Sequence, residues 1–414
     1  MSFINLPQLS WYGTKELRLS LPDRWEVETG NIAGYKQTAM KAKEIRTALD
    51  NPIGTKPLSE LARGKKEVVI LFDDTSRVTR TAEIVPHILD ALAAAGIQDK
   101  NVRFVCALGS HGALNRIDFV KKLGEEVLER FPVYNHNPFG NCVNIGKTKT
   151  WATEVAVNAE VMKCELKIAI GMVVPHPSSG FGGGGKIILP GVSSIASIQH
   201  NHHCFYRDIR QMRDTMGVGL FDDNPMRLDI EEAAGMAGLD FVINCLVNEW
   251  GETVKIFAGA LKPAYAQAVA EAKIHYLTPT LKEKDIAICN VFIKANESYM
   301  GSVIAYPALN QKGGDIVVLA NAPEGMVVHY LLGPWGNACL GPEGQQTHLP
   351  KKVKRLIIYS EYPDLAGRGW FPDSDKVMYA RQWSEVLQVL EADYPSSAKV
   401  AVFPNAEIQY AKYN

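Results

Sequence analysis

Three continuous apolar runs, EVVILFD (67–73), VRFVCALG (102–109) and LKIAIGMVV (166–174), constrain this chain more than any other feature. None alternates apolar with polar residues, as a strand with one solvated face does, and all three are short. Between the first two, Ile84, Ile88 and Leu92 recur at four-residue spacing, with Val85 and Leu89 beside them and Gly96 closing the segment. That is one face of a helix with its stop signal. A charged amphipathic segment, RIDFVKKLGEEVLERF (116–131), follows the second run. Buried strands alternating with helices predict a parallel sheet covered on both faces.

Further along, DFVINCLVN and ETVKIFAGA flank Trp250 and Gly251 and predict two strands joined by a turn. KPAYAQAVAEAKIHYL (262–277) predicts a helix, after which the strand pattern restarts with IAICNVFI, DIVVLANA, RLIIYSE and VAVFP. A chain of 414 residues exceeds one ordinary core. The expectation is therefore two α/β domains with mainly parallel sheets, residues 1–280 and a smaller 281–414, with the active site in the crevice between them.

A formal net charge of -1 argues against a dedicated nucleic-acid binder, which normally carries a basic face. The seven cysteines, Cys339 the last of them, are scattered without the short spacing of a zinc site. No run approaches the roughly 18 apolar residues that cross a bilayer. The opening MSFINLPQLSWYG also lacks the basic and apolar regions of a signal peptide. The expected setting is the reducing cytoplasm, with no membrane and no nucleic acid as partner.

Polar and special residues gather just after the three first-half runs, as DDTSR (73–77), GSHG (109–112) and PHPSSGFGGGGK (175–186). Ligands of parallel sheets bind at the carboxyl ends of strands, so these loops are candidates to face one crevice. Arg77 is suited to a forked pair of hydrogen bonds to a carboxylate or phosphate; read alone, Asp74 and Arg77 are equally a capping turn with a surface ion pair. His111 and His176 stand at comparable strand ends. Imidazole exchanges protons near neutral pH, and inversion of a stereocentre needs proton handling on two faces. GFGGGGK (180–186) has the spacing of a phosphate-binding P-loop, but Ile187 stands where a magnesium-binding hydroxyl belongs. Its glycines, Gly182, Gly183, Gly184 and Gly185, permit close backbone approach to a ligand, or simply a flexible surface loop. HNHH (200–203) offers imidazole ligands for zinc or nickel, or a polar helix start.

Taken in order, these residues resemble the nickel-dependent lactate racemase family. The resemblance covers most of residues 67–205: Asp74 with Arg77, Gly109-Ser110-His111, His176 ten positions before Lys186, and His202 sixteen positions beyond it. It implies a nickel-pincer nucleotide, a nicotinic-acid-derived mononucleotide joined to Lys186 as a thioamide and holding nickel through two sulfurs and one carbon. It implies His202 as the completing nickel ligand, with His200 and His203 as substitutes. His111 and His176 are implied as the paired acid–base groups, Arg77 as the holder of substrate carboxylate, and Asp74 as an orienting group. The substrate implied is a small 2-hydroxy acid inverted at C2, and the partners are the enzymes that build the cofactor.

One departure concerns the second domain, where the family carries a substrate-binding lysine before a glycine. Here Met300 precedes Gly301, and the nearest lysine is Lys294 within NVFIKANESYMG. Lys294, Glu297 and Met300 are thus candidate substrate-binding residues, with a pocket less polar than that of lactate racemases or rebuilt around Lys294, Asn296, Glu297 or Tyr299. Two other readings remain open: a phosphate- or nucleotide-binding protein using the glycine loop without nickel, and a non-catalytic homologue that binds an organic acid or the cofactor.

Overall fold

The computed structural model describes residues 1–208, 211–212, 214–332, 336, 349–364, 370 and 375–412. The chain separates into two compact units, residues 37–273 and residues 1–36 with 274–414. The split at 274 lies close to the boundary expected near 280, but residues 1–36 do not join the following 240. Strands β1 (Ser2–Gln8) and β2 (Lys15–Leu21) form an antiparallel hairpin, and β3 (Glu26–Thr29) pairs in parallel with a strand near the C-terminus. The N-terminal segment is therefore built into the sheet of the C-terminal unit.

In the 37–273 unit the apolar runs become β4 (Val68–Phe72), β5 (Val102–Cys106) and, further on, β9 (Leu166–Met172). Between them come β6 (Val133–Asn135) and an antiparallel hairpin of β7 (Cys142–Lys147) and β8 (Glu154–Asn158). After β9 follow a two-residue hairpin, β10 (Pro175–His176) and β11 (Gly180–Phe181), then β12 (Phe241–Val247) and β13 (Thr253–Gly259). The six-stranded sheet runs β13-β12-β9-β4-β5-β6, parallel throughout except for the β12/β13 pair. Val68, Ile70 and Phe72 enter a core with Ile84, Val85, Ile88 and Leu92 of the helix Thr81–Ala94. Val69 and Leu71, pointing the other way, are equally inaccessible. Burial on both faces is the reason β4 is apolar at every position.

The chain leaves β4 for β5 on one side and later places β9 on the other. Strand order thus reverses at β4, and a crevice opens at the carboxyl ends of such neighbours. The amphipathic 116–131 segment differs from expectation. It breaks into helices Arg116–Leu123 and Glu125–Arg130 at Gly124, whose φ of 81° a side chain would resist.

The other unit holds β14 (Ile286–Asn290), β15 (Gly314–Leu319), β16 (Val353–Tyr359), β17 (Val377–Ala380) and β18 (Lys399–Phe403). They assemble as β17-β16-β15-β14-β18-β3, all parallel. Ile286 and Ile288 face Leu6, Leu19, Leu21 and Trp25 of the N-terminal segment, while Ala287 and Cys289 face Ile304, Ala305 and Leu309. The six described cysteines are free thiols, five of them buried; Cys339 lies outside the described residues. Among the described residues no helix is long and apolar enough to cross a membrane.

Trp25 is buried against this sheet and donates its indole N–H to the Tyr394 carbonyl. Trp25→Ala is expected to cost about 3–5 kcal/mol, as large aromatic truncations in cores do. Urea unfolding checks the size, and faster amide exchange at Val400 and Val402 of β18 checks the place.

Candidate active site at the carboxyl ends of β4, β5 and β9

Because β9, β4 and β5 are neighbours, the three polar loops leave the sheet side by side. Backbone bonds then lock two of them together: Gly109 N–H donates to the Gly191 carbonyl, and Gly191 N–H donates to the carbonyl of Lys186, each at 2.9 Å. The loop carrying His111 is thereby tied to the loop carrying Lys186.

The first cluster is Asp74, Arg77 and His111. His111 Nδ1 lies 2.6 Å from Asp74 Oδ2. The other carboxylate oxygen accepts from the Ser76 N–H at 2.9 Å and from the Ser76 hydroxyl. Burial by itself would raise the Asp74 carboxyl, but the positive His111 and Arg77 and these hydrogen bonds outweigh it and hold the group at about 2. An ionised Asp74 keeps a proton on His111 Nδ1 and leaves Nε2 as the nitrogen that can exchange one. Arg77 steadies itself on its neighbour, donating to the Ser76 carbonyl at 2.8 Å and hydroxyl at 2.9 Å.

The second cluster is His176, Lys186 and His202. His176 Nδ1 accepts the backbone N–H groups of Ser178 and Ser179, each at 3.3 Å. Its Nε2 lies 3.1 Å from Lys186 Nζ, so with a charged lysine both ring nitrogens face donors. Lys186 also donates to the Ser179 hydroxyl at 3.3 Å. His202 sits on the helix Ile195–Asp208, and its Nδ1 donates to the Ile198 carbonyl at 2.9 Å, so Nε2 keeps its lone pair. Burial, reinforced by the charge of Lys186, lowers His202 to about 4. His200 instead points Nε2 at the Trp151 carbonyl, and His203 is exposed. Of the three imidazoles in HNHH, His202 alone combines partial burial, a fixed Nδ1 proton and proximity to Lys186.

The glycine run is a packed cradle and not a flexible surface loop. Gly182, Gly184 and Gly185 are buried. Gly184 has φ 56°, and a Cβ there would lie 2.6 Å from the Tyr265 ring. Three side chains strap its backbone: Tyr265 donates its hydroxyl to the Gly182 carbonyl at 3.0 Å, the Gly184 N–H donates to Asn244 Oδ1 at 3.1 Å, and the buried Arg227 donates to the Phe181 and Gly183 carbonyls. Arg227 also stacks 4.7 Å over Tyr265. The P-loop reading loses its structural context here, since a four-residue 3₁₀ turn, Gly184–Ile187, follows the loop in place of a helix whose N-terminus would face a phosphate.

Sequence reasoning missed Lys122, Arg227 and Tyr265. The signal was a polar group on an apolar stripe: Lys122 follows buried Phe119 by three residues, and Arg227 precedes buried Ile230 by three. Lys294, Glu297 and Met300 belong to the other unit, just beyond β14, and all three are buried there. Burial pushes Glu407 of that unit up to about 7 although it accepts the Phe292 and Ile293 N–H groups and faces the charge of Lys294.

The model of the lactate racemase N-terminal domain matches residues 12–213. Among relatives, the lactate racemase of Thermoanaerobacterium thermosaccharolyticum is 29% identical over 333 residues, 78% of this chain and 76% of that protein. That of Lactiplantibacillus plantarum is 28% identical over 304 residues, 71% of this chain and 69% of its own length. In fold, the solved apoprotein of the Thermoanaerobacterium enzyme superimposes with a TM-score of 0.74 over the whole of both chains at 24% identity. The chain is thus similar to lactate racemases through its residues 12–213 and over most of its length, a likeness that supports a racemase.

The histidines of this region carry a pH signature. Burial lowers both His136 and His202 from 6.5 to about 4. The unfolded chain takes up these protons first, so stability is complete above about pH 6.5 and falls as pH drops towards 4. His202→Gln is expected to remove its share of that slope, read from urea midpoints between pH 7.5 and 4.5; an unchanged slope would contradict the assignment.

Proposed function

We propose that the protein is a racemase or epimerase that inverts C2 of a small 2-hydroxy acid. The observation that carries this reading is the placing of two imidazoles, each held through Nδ1, on loops that leave the sheet side by side. Asp74 holds His111 and the Ser178 and Ser179 amides hold His176, so each ring keeps Nε2 for proton transfer. Inversion needs that combination, since a proton taken on one side of a flattened intermediate must be matched by one given on the other.

The residues also fit the nickel-pincer nucleotide that the resemblance implies. Gly182–Gly185 are packed so closely that a Cβ at Gly183 would meet Val173 and one at Gly184 the Tyr265 ring, which fixes the backbone beside Lys186. Lys186 offers the amine, and His202 Nε2 offers one imidazole with its Nδ1–H already anchored, the usual arrangement of a metal-binding histidine. Among the described residues no three His, Cys, Asp or Glu side chains gather as a metal site, which suits a metal whose other ligands arrive with the cofactor. When bound, the group would supply reversible hydride acceptance from C2.

The chain's own residues do the rest. Arg77 grips the substrate carboxylate through its forked donors. His111 Nε2 takes the hydroxyl proton, with Asp74 stabilising the imidazolium. His176 holds the proton for the opposite face, and the roles exchange when the product runs backwards. The absence of a lysine at position 300 favours a mono-carboxylate whose side chain is larger than lactate's methyl, either apolar or hydroxylated.

Protein produced together with the cofactor-building enzymes is expected to carry nickel and an added mass on Lys186, both lost in Lys186→Ala. His111→Ala and His176→Ala should each reduce turnover by about 10²–10⁴-fold while retaining the cofactor. His202→Ala should deplete nickel instead. Equal nickel loss in all three histidine variants would refute the division of roles.

Substrate preference is checked by comparing kcat/KM for lactate, malate, a longer aliphatic 2-hydroxy acid, an aromatic one and a sugar acid. Malate is expected among the poorest. A preference for malate or lactate would show that position 300 does not govern the pocket.

A further inference from the structure

We propose that Lys122, paired with Asp73, is a positioning residue that holds the Asp74–Arg77 turn in its working shape. The inference rests on the reading that Arg77 grips the substrate carboxylate. Lys122 lies on the helix Arg116–Leu123, and its side chain is wholly inaccessible. Its ammonium donates to Asp73 Oδ1 at 2.6 Å, to the Arg77 carbonyl at 3.0 Å and to the Thr79 carbonyl at 3.2 Å. An ammonium has three N–H groups, and here each has an acceptor. Asp73 Oδ2 in turn accepts from the Thr79 hydroxyl at 2.5 Å and from the Met172 N–H at 3.3 Å. One buried cation therefore gathers the start and the end of the 73–79 turn, the carbonyl of Arg77 itself, and, through Asp73, the last residue of β9.

Stability alone gives little reason for this arrangement. Burying two charges costs free energy that their attraction only partly returns, and apolar replacements of whole buried pairs are often neutral or stabilising. An apolar side chain at position 122 would fit the stripe formed by Phe119 and Leu123. What it would not do is draw three acceptors of one irregular turn to a single point. The backbone from Asp73 to Thr79 lies beyond the end of β4, and the guanidinium of Arg77 can present its fork reproducibly only if that backbone is fixed. Lys122 itself reaches the carbonyl of Arg77, not its guanidinium, so it acts through Arg77.

The test compares Lys122→Met, the double variant Lys122→Met/Asp73→Asn, and the milder Thr79→Val, each as matured holoprotein. The single methionine variant leaves the part-buried Asp73 without its cation and should melt at a lower temperature. The double variant removes both charges and should recover most of the wild-type Tm. Its KM for the 2-hydroxy acid should nonetheless stay raised by about tenfold, roughly one charge-assisted hydrogen bond's worth, with kcat changed less. Thr79→Val should raise KM by a smaller factor at near-wild-type Tm. Recovery of KM together with Tm in the double variant, or a wild-type KM in folded Thr79→Val, would overturn the proposal and leave the pair a structural element. Hydrogen exchange on protein without cofactor supplies the arm that does not depend on turnover. Exchange should accelerate within residues 73–79 of the double variant while β4 and β9 stay protected, and unchanged protection there would also overturn it. Wild-type holoprotein that turned over no 2-hydroxy acid would count against the racemase reading alone, and the exchange result would still decide the role of Lys122.

Discussion

Parallel strands cannot be joined by tight turns, and the whole arrangement of this site descends from that. Each return to the sheet needs a crossover, so the chain leaves β4, β5 and β9 in one direction and comes back from the other. The carboxyl edge is consequently mostly loop, apart from the short β10/β11 hairpin that carries His176, and is open to special residues. The strands themselves are buried on both faces and leave no room for chemistry. The division of labour along the sequence, apolar runs followed by short polar bursts, reflects this constraint.

Loops freed from the ladder must be held some other way, and the two halves of the site use different means. The glycine run has no side chains, so its shape is imposed from outside by Tyr265, Asn244 and Arg227 gripping its carbonyls and amides. The 73–79 turn has plenty of side chains and holds itself: Asp74 folds back on Ser76, Thr79 on Asp73, and Lys122 binds the whole from beneath. The shape of each half is decided by how it is kept in place.

These differences also explain what could be read beforehand. The apolar runs predicted β4, β5 and β9, and the adjacency of their loops followed from sheet geometry, because local pattern and tertiary burial agree there. The assignment of residues 1–36 was not legible, since β3 is a four-residue edge strand with one half-buried position and three exposed ones. Its pairing with β18 depends on a contact across some 370 residues of chain, for which a short pattern carries no signal. Lys122 and Arg227 were hidden for the opposite reason. Each is a charged residue on a helix whose pattern otherwise reads normally, and a single polar residue is easily assigned to the solvent face. The glycine run was ambiguous because glycine permits both a mobile loop and a tightly packed one, and the ring of Tyr265, some 80 positions away, decides between them.

The two histidines show how little of a protonation state resides in the residue type. His111 and His176 are chemically identical, stand at comparable strand ends, and were indistinguishable in sequence. Their Nδ1 partners differ: an ionised carboxylate accepts from one, and two backbone amides donate to the other. A carboxylate compels Nδ1 to carry a proton, whereas amide donors compel it to carry none. Two equivalent side chains are thereby held in different hydrogen-bonding surroundings, and Asp74, held at about 2, stays ionised throughout the range in which imidazole titrates.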